Sequence, residues 1–129
     1  MIRKAAAVVR RQLEAAWDED YGGIYLAIDA DGGKPFLANA DKKLWWPHTE
    51  AMYALALAHE LTGEAWCAEW FDRVEEWSLR HFSMATEGEW RQRLDRRGQP
   101  VTELIALPVK DPFHLPRALI LLTQLLSEP

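Results

Sequence analysis

Two histidines stand beside acidic or basic residues at the predicted starts of two helices. His48 is followed two positions later by Glu50, and His114 lies between Lys110 and Arg117. A histidine next to a carboxylate and a cation can both donate and accept a proton near neutral pH, because the reference pKa of its ring is about 6.5. The pattern therefore indicates general acid–base chemistry. The alternative is that both histidines cap helix ends and bond buried carbonyls, and the residue types leave both interpretations open.

The other reactive side chains favour structural roles. His59, His81 and Cys67 each lie inside a predicted helix, where packing or simple exposure accounts for them. No His, Cys or carboxylate pair has a recognised metal-ligand spacing, and the chain has neither a phosphate-binding glycine loop nor a nucleophile elbow. Trp45 and Trp46 either stack on a sugar ring or brace the chain against the second helix. We expect no metal and no cofactor.

The elements that must position these residues are predicted to be mainly helical. Apolar residues recur every three or four positions over 2–17, 66–81 and 115–126, which predicts three helices. The first two are amphipathic, and the last is rich in leucine. Residues 47–61 predict a further helix that is apolar on nearly every side, with a proline in its first turn. A helix of that kind is buried on all sides, so we expect it to lie inside the others.

An internal repeat relates the two halves of the chain. Residues 22–28 and 89–94 have strand patterns, and each is followed by a turn that contains glycine, at 29–32 and 95–98, which predicts two short β-hairpins. The offset that carries Gly22 onto Gly88 also carries His48 onto His114. We therefore expect both histidines at one end of a structure built from repeated helix pairs.

Composition excludes several classes of protein. The chain has 129 residues, 15 basic and 20 acidic, and a net charge of −5 without a basic block, which argues against a nucleic acid or an anionic membrane as partner. One cysteine cannot form an internal disulfide, and no apolar run is long enough to span a bilayer. These features predict a single cytoplasmic domain over residues 1–129.

Four segments of the chain closely resemble the N-acylglucosamine 2-epimerase family, also called renin-binding protein. They are residues 42–52 (KKLWWPHTEAM), 88–90 (GEW), 110–118 (KDPFHLPRA) and, less specifically, 17–24 (WDEDYGGI). The resemblance covers nearly the whole chain but only the last third of the family's length. It implies a partial (α/α)6 toroid of about four helices. It also implies epimerisation of N-acetylglucosamine and N-acetylmannosamine without a metal; relatives act on cellobiose or mannose, and ATP activates some members.

The resemblance also implies roles for individual residues. His114 falls where the family keeps one of its two acid/base histidines, and Glu50 falls where it keeps an active-site carboxylate. Four neighbouring residues are expected to contact the sugar: Trp46, His48, Lys110 and Arg117. The Trp-Trp-Pro-His spelling favours an N-acylhexosamine over a plain hexose or a disaccharide.

The chain departs from the family pattern in ways that concern activity. No histidine here follows a glycine, so the Gly-His-x-x-Glu segment that carries the family's second catalytic histidine is missing, as is an arginine from the first part of the barrel. We therefore expect the C-terminal portion of an epimerase, inactive alone, that binds a free amino sugar when a complementary upstream fragment completes the barrel. The alternative is a non-catalytic helical module for protein interaction or self-association, because a truncated toroid exposes apolar faces.

Overall fold

One helix lies against the three others in the computed structural model, which describes residues 1–103 and 112–127. The helices of this described part are α1 (Ile2–Ala16), α2 (Trp45–Thr62), α3 (Ala65–His81) and α4 (His114–Ser127). The central helix is α2, which packs against α1, α3 and α4. None of the helices in these two stretches is long and apolar enough to cross a membrane.

The sequence of α2 explains its central position. Seven of its side chains are buried, and they lie on more than one side of the helix: Trp45, His48, Thr49, Met52, Leu55, Ala56 and Ala58. The helix begins two positions earlier than predicted, so Pro47 lies in its first turn, where its missing N–H costs no hydrogen bond. It ends at Gly63, which adopts a left-handed φ of 67° and donates its N–H to the carbonyl of His59 at 2.7 Å. The chain then turns directly into α3.

Four two-residue strands form two antiparallel pairs in the described part of the chain. They are β1 (Lys43–Leu44), β2 (Ser83–Met84), β3 (Glu89–Trp90) and β4 (Arg93–Leu94). Strands β2 and β3 form a hairpin, whereas β1 pairs with β4, which lies beyond α2 and α3 in the sequence. The predicted single strand over 89–94 is therefore two strands with different partners.

The predicted strand over residues 22–28 is wrong. Only Ile24 forms a bridge there, with Trp17. Gly22 and Gly23 both adopt positive φ, of 72° and 80°, and the ring of Trp77 lies so close that a Cβ on either glycine would be within 2.7 Å of it. The chain therefore bends under the tryptophan ring instead of extending into a strand.

The internal repeat is present in the fold. When the first half of the chain is shifted by the offset from Gly22 to Gly88, α1 overlaps α3, and the shifted range of α2 contains α4. The bridge between Trp17 and Ile24 corresponds to the β2–β3 pair of Ser83 with Trp90. The structure therefore consists of two related units, in which α2 and α4 hold equivalent positions.

A buried ion pair joins the end of α1 to β1 and to the turn after β4. Asp18 and Lys43 are both completely buried and lie 3.0 Å apart, and Arg96 donates to both oxygens of Asp18 at 2.9 and 3.0 Å. Burial alone would raise the pKa of Asp18, but the hydrogen bonds from Arg96 and Lys43 hold it well below its ordinary value. Burial lowers the pKa of Lys43. This network connects the two units.

Candidate active site

The first turns of α2 and α4 place a carboxylate, a histidine and an arginine in direct contact. Oε1 of Glu50 lies 2.9 Å from Nδ1 of His114. Nη1 of Arg117 donates to both oxygens of the same carboxylate, at 2.9 and 2.7 Å. Because residues near the start of α2 touch residues at the start of α4, the two helices begin side by side. The expectation that both histidines lie at one end of the structure is confirmed, because His48 and His114 stand in the first turns of these two adjacent helices.

Aromatic rings surround this cluster. The ring of Trp46 lies against His114, with centroids 5.4 Å apart and an interplanar angle of 32°. The guanidinium of Arg117 lies over Tyr53 at 5.6 Å and over Phe113 at 5.5 Å. Such contacts attract the cation to the ring faces and restrict the positions of these side chains.

The cluster can exchange a proton with a bound molecule. The side chains of His114 and Glu50 are 29% and 31% exposed, so a ligand can reach them. Since Nδ1 of His114 faces the carboxylate, the other ring nitrogen, Nε2, is the one that has no hydrogen-bond partner among the described residues. A histidine held in this way by a carboxylate is a suitable general acid or base.

A groove of about 490 Å³ opens beside the cluster, between α1 and α2. Glu50 and Trp46 line one wall, and Val9 and Gln12 of α1 are on the other. A second groove, of about 1030 Å³, lies between α1 and residues 25–41, and the predicted site residues found in the described ranges do not line it. The smaller groove is therefore the one connected to the acid–base cluster.

His48 is separated from this cluster. It has no exposed surface, and its ring stacks on Trp77 at 5.0 Å. Its Nε2 accepts the N–H of Ile24 at 2.9 Å, and its Nδ1 donates to the carbonyl of Leu44 at 2.7 Å. With both nitrogens engaged by the backbone, His48 has no atom free for a sugar. The geometry supports the structural alternative for this histidine and corrects the expected substrate contact.

Trp46 and Arg117 are the predicted sugar contacts that lie at the cluster. Trp46 is 37% exposed there, so its ring is accessible to a ligand, whereas Trp45 is buried in the core and is not. Lys110 lies outside the described residues.

Sequence reasoning missed two aromatic neighbours of the arginine, Tyr53 and Phe113. Tyr53 follows Glu50 by three positions on α2, and Phe113 precedes Arg117 by four. Residues at these spacings lie near one another along a helix, and Phe113 directly precedes α4, where its carbonyl accepts the N–H of Arg117. This spacing is the signal that could have identified both rings.

The burial of His48 predicts a pH dependence of stability. Burial lowers the pKa of His48 to about 3, whereas an unfolded histidine titrates at about 6.5. Between these values the unfolded chain binds a proton that the folded chain does not, so the free energy of unfolding falls as pH falls, by at most about 1.4 kcal/mol per pH unit. Urea unfolding from pH 7 to pH 4 should show this slope, and His48→Gln should reduce it.

The exposed histidine His59 provides the matched control for that experiment. Its ring lies at the far end of α2, so His59→Gln should keep the wild-type slope. Equal slopes in wild type and His48→Gln would contradict the conclusion that buried His48 causes the pH dependence.

Comparisons with known proteins agree with this architecture. The model of the family described as N-acylglucosamine 2-epimerase (GlcNAc 2-epimerase) matches residues 1–118. The N-acylglucosamine 2-epimerases of Mus musculus and Homo sapiens are each 35% identical to this chain over 113 residues, which is 88% of the chain. That stretch is 27% of the mouse protein and 26% of the human protein, so the chain spans about a quarter of the length of these relatives.

Solved structures share the fold. A crystal structure of D-mannose isomerase aligns with a TM-score of 0.82 over 95% of this chain and 30% of its own, at 21% identity. The cellobiose 2-epimerase from Spirochaeta thermophila DSM 6192 aligns with a TM-score of 0.76 over 99% of this chain and 33% of its own, at 18% identity. Both are (α/α)6 barrels. The match over residues 1–118 and the identity to the mammalian enzymes establish that this chain belongs to the N-acylglucosamine 2-epimerase family.

Proposed function

We propose that this chain supplies one acid–base half of a sugar 2-epimerase, with His114 as the proton-transfer group and Glu50 as its carboxylate partner. The observation that carries the proposal is the 2.9 Å contact between Nδ1 of His114 and Oε1 of Glu50, at the partly exposed starts of two adjacent helices. The substrate class is an N-acylhexosamine, because the mammalian relatives at 35% identity are N-acylglucosamine 2-epimerases. The reaction interconverts N-acetylglucosamine and N-acetylmannosamine.

The chemistry requires two proton-transfer groups. After the sugar ring opens, a base removes the proton from C2, and the electron pair of that C–H bond moves into an enolate whose oxygen is on C1. An acid then returns a proton to the opposite face of C2. One histidine on each face would serve, and protein donors would stabilise the enolate oxygen. His114 accounts for one face.

The second group comes from outside this chain in our proposal. The chain spans about a quarter of the length of the mammalian relatives, and its sequence lacks the Gly-His pair that carries the family's other histidine. Complete activity therefore requires the remaining helices of the barrel. The free amino sugar would bind only in that assembly. As the sequence leads us to expect, the assembled enzyme would be cytoplasmic and would need no cofactor.

The test is reconstitution of a barrel. The chain is purified alone, and also fused to the part of the mouse N-acylglucosamine 2-epimerase that it does not match. Each preparation is incubated with N-acetylglucosamine in deuterated water. We expect the fusion to form the C2 epimer with deuterium at C2 and the chain alone to be silent. A folded fusion that forms no epimer and puts no deuterium into N-acetylglucosamine would refute the function. Rapid turnover by the chain alone would refute the inference that the second proton-transfer group comes from outside this chain.

A second candidate function, self-association, is favoured by two apolar surfaces. The groove between α1 and α2 is lined mostly by apolar side chains, and on α4 Leu119 and Ile120 are 43% and 57% exposed. Within the chain, α2 packs on the unit formed by α3 and α4. By the repeat, α4 of a second copy would pack in the same way on the unit formed by α1 and α2.

This candidate predicts association at micromolar concentration, because exposed apolar surface is removed from water in the assembly. Sedimentation of the purified chain should reveal oligomers, and Ile120→Glu should shift them towards monomer. Leu79→Glu is the matched control, since Leu79 is 48% exposed on α3, which contributes to neither surface. A stable wild-type monomer that binds no hydrophobic dye would contradict self-association.

A further inference from the structure

We propose that Arg117 is a positioning residue: by binding both oxygens of Glu50, it keeps Oε1 on Nδ1 of His114 and leaves Nε2 of His114 as the nitrogen that meets the substrate. The inference deepens the proposed function, and its catalytic consequence rests on that function. It differs from the direct sugar contact expected for Arg117 from the sequence.

The contacts of Arg117 are directed at the carboxylate. Its Nη1 lies 2.9 Å from Oε1 and 2.7 Å from Oε2 of Glu50, so one nitrogen bridges the two oxygens. Tyr53 and Phe113 lie against the guanidinium at 5.6 and 5.5 Å. Charge-assisted hydrogen bonds of this kind are stronger than neutral ones, and ring contacts restrict the planar group further. Arg117 is thus held in place before any sugar arrives.

The carboxylate in turn orients the histidine. Oε1 of Glu50 is shared between Nη1 of Arg117 and Nδ1 of His114. The proton of a neutral imidazole lies on the nitrogen that donates a hydrogen bond, and a carboxylate only accepts. Neutral His114 therefore carries its proton on Nδ1. Nε2, which has no hydrogen-bond partner among the described residues, keeps its lone pair for the proton of a substrate. Trp46, against the ring at 5.4 Å, limits rotation of the imidazole.

Arg117 determines how well this arrangement holds. The side chain of Glu50 is 31% exposed, so it can adopt several rotamers, and water competes with His114 for its oxygens. Without the arginine, the carboxylate has only the single contact to His114 among the described residues, and either oxygen can face water. The histidine would then sample both tautomers and more than one ring orientation. A positioning role of this kind leaves substrate affinity largely intact while it lowers the rate.

The first test needs only the chain itself. Nitrogen-15 NMR of the histidine rings, recorded at a pH where they are neutral, distinguishes the two tautomers. We expect His114 to be mainly the Nδ1–H form in wild type. In Arg117→Gln the Nε2–H form should increase several-fold, and Arg117→Lys, which keeps the charge, should restore most of the wild-type signal. Arg73→Gln is the control, because Arg73 pairs with exposed Glu19 elsewhere.

Two results of this test would overturn the proposal. One is a wild-type His114 that is mainly the Nε2–H tautomer. The other is an unchanged tautomer ratio in Arg117→Gln with a circular dichroism spectrum equal to that of wild type. Glu50→Gln provides the reference for complete loss of the carboxylate.

The second test uses the fused barrel and separates this inference from the proposed function. Arg117→Gln should lower kcat by up to about 10²-fold with KM within twofold of wild type, as expected for misplacement of a reacting group. A raised KM with unchanged kcat would show that Arg117 binds the sugar and would overturn the positioning role. If the wild-type fusion has no epimerase activity, the proposed function fails, whereas the tautomer measurement still decides the role of Arg117.

Discussion

Replacing His114 by asparagine in a completed barrel should lower turnover by about 10² to 10⁴-fold, the usual loss on removal of a general acid or base. Asparagine keeps much of the size and hydrogen-bonding capacity of the ring, but it cannot exchange a proton near pH 7. The position of His114 supports a large effect, because its Nδ1 is held by Glu50 and its side chain is 29% exposed. The measurement is kcat for N-acetylglucosamine epimerisation in the fusion protein.

The control for this prediction is another histidine on the same pair of helices. His59 lies nine positions after Glu50 on α2, about 13 Å further along the helix axis. It is exposed, so His59→Asn should leave turnover nearly unchanged. Glu50→Gln should also lower turnover, since it removes the charge that orients His114. Near-normal activity of His114→Asn, together with loss of activity in His59→Asn, would place the site elsewhere.

Replacing Asp18 by asparagine should lower the free energy of unfolding by about 3–5 kcal/mol, the usual cost of leaving a buried charge without its partner. Asp18 and Lys43 have no exposed surface and lie 3.0 Å apart, so the variant leaves the ammonium of Lys43 in the interior without its carboxylate. Arg96 loses its bonds to the Asp18 carboxylate as well. Urea unfolding at pH 7, monitored by tryptophan fluorescence, would measure the loss.

Two variants make this prediction specific. Glu19→Gln removes an exposed partner of Arg73 and should change stability by well under about 1 kcal/mol, because surface ion pairs contribute little. The double variant Asp18→Asn with Lys43→Met should recover part of the loss, because it removes the uncompensated charge. A loss below about 1 kcal/mol in Asp18→Asn would contradict the buried network.

Acid should reproduce the effect of that substitution. Hydrogen bonds from Arg96 and Lys43 hold the pKa of Asp18 below its ordinary value, so its contribution to stability is fully present above the unfolded pKa of about 3.9. The contribution is lost as pH falls below that value towards the folded pKa. The acid limb of the wild-type stability curve should therefore be steeper than that of Asp18→Asn in this range.

Local patterns in the sequence were sufficient to predict the helices and the relation between the two halves of the chain. Apolar residues at helical spacing locate α1, α3 and α4 to within a few positions, and apolar residues on nearly every side identify α2 as the central helix. These signals are local, because each helix forms its own backbone hydrogen bonds. The repeat then placed His48 and His114 at equivalent helix starts, and motifs in the sequence indicated the family that the comparisons establish.

Packing between helices controls which of these residues share a surface. His48 and His114 are equivalent by repeat, but α2 is enclosed by three helices while the start of α4 is partly open, so one ring is buried against Trp77 and the other meets Glu50. Helical position alone cannot separate these outcomes, because they depend on what packs against each helix.

The strand pairs and the partner of Arg117 likewise result from contacts between distant parts of the chain. Residues 22–28 have the composition of a strand, yet the ring of Trp77, which comes from α3, bends them at two glycines. Strand β1 of the first unit pairs with β4 of the second, and Arg117 on α4 binds Glu50 on α2. Such pairings depend on long-range packing geometry, for which neither periodicity nor composition carries a signal.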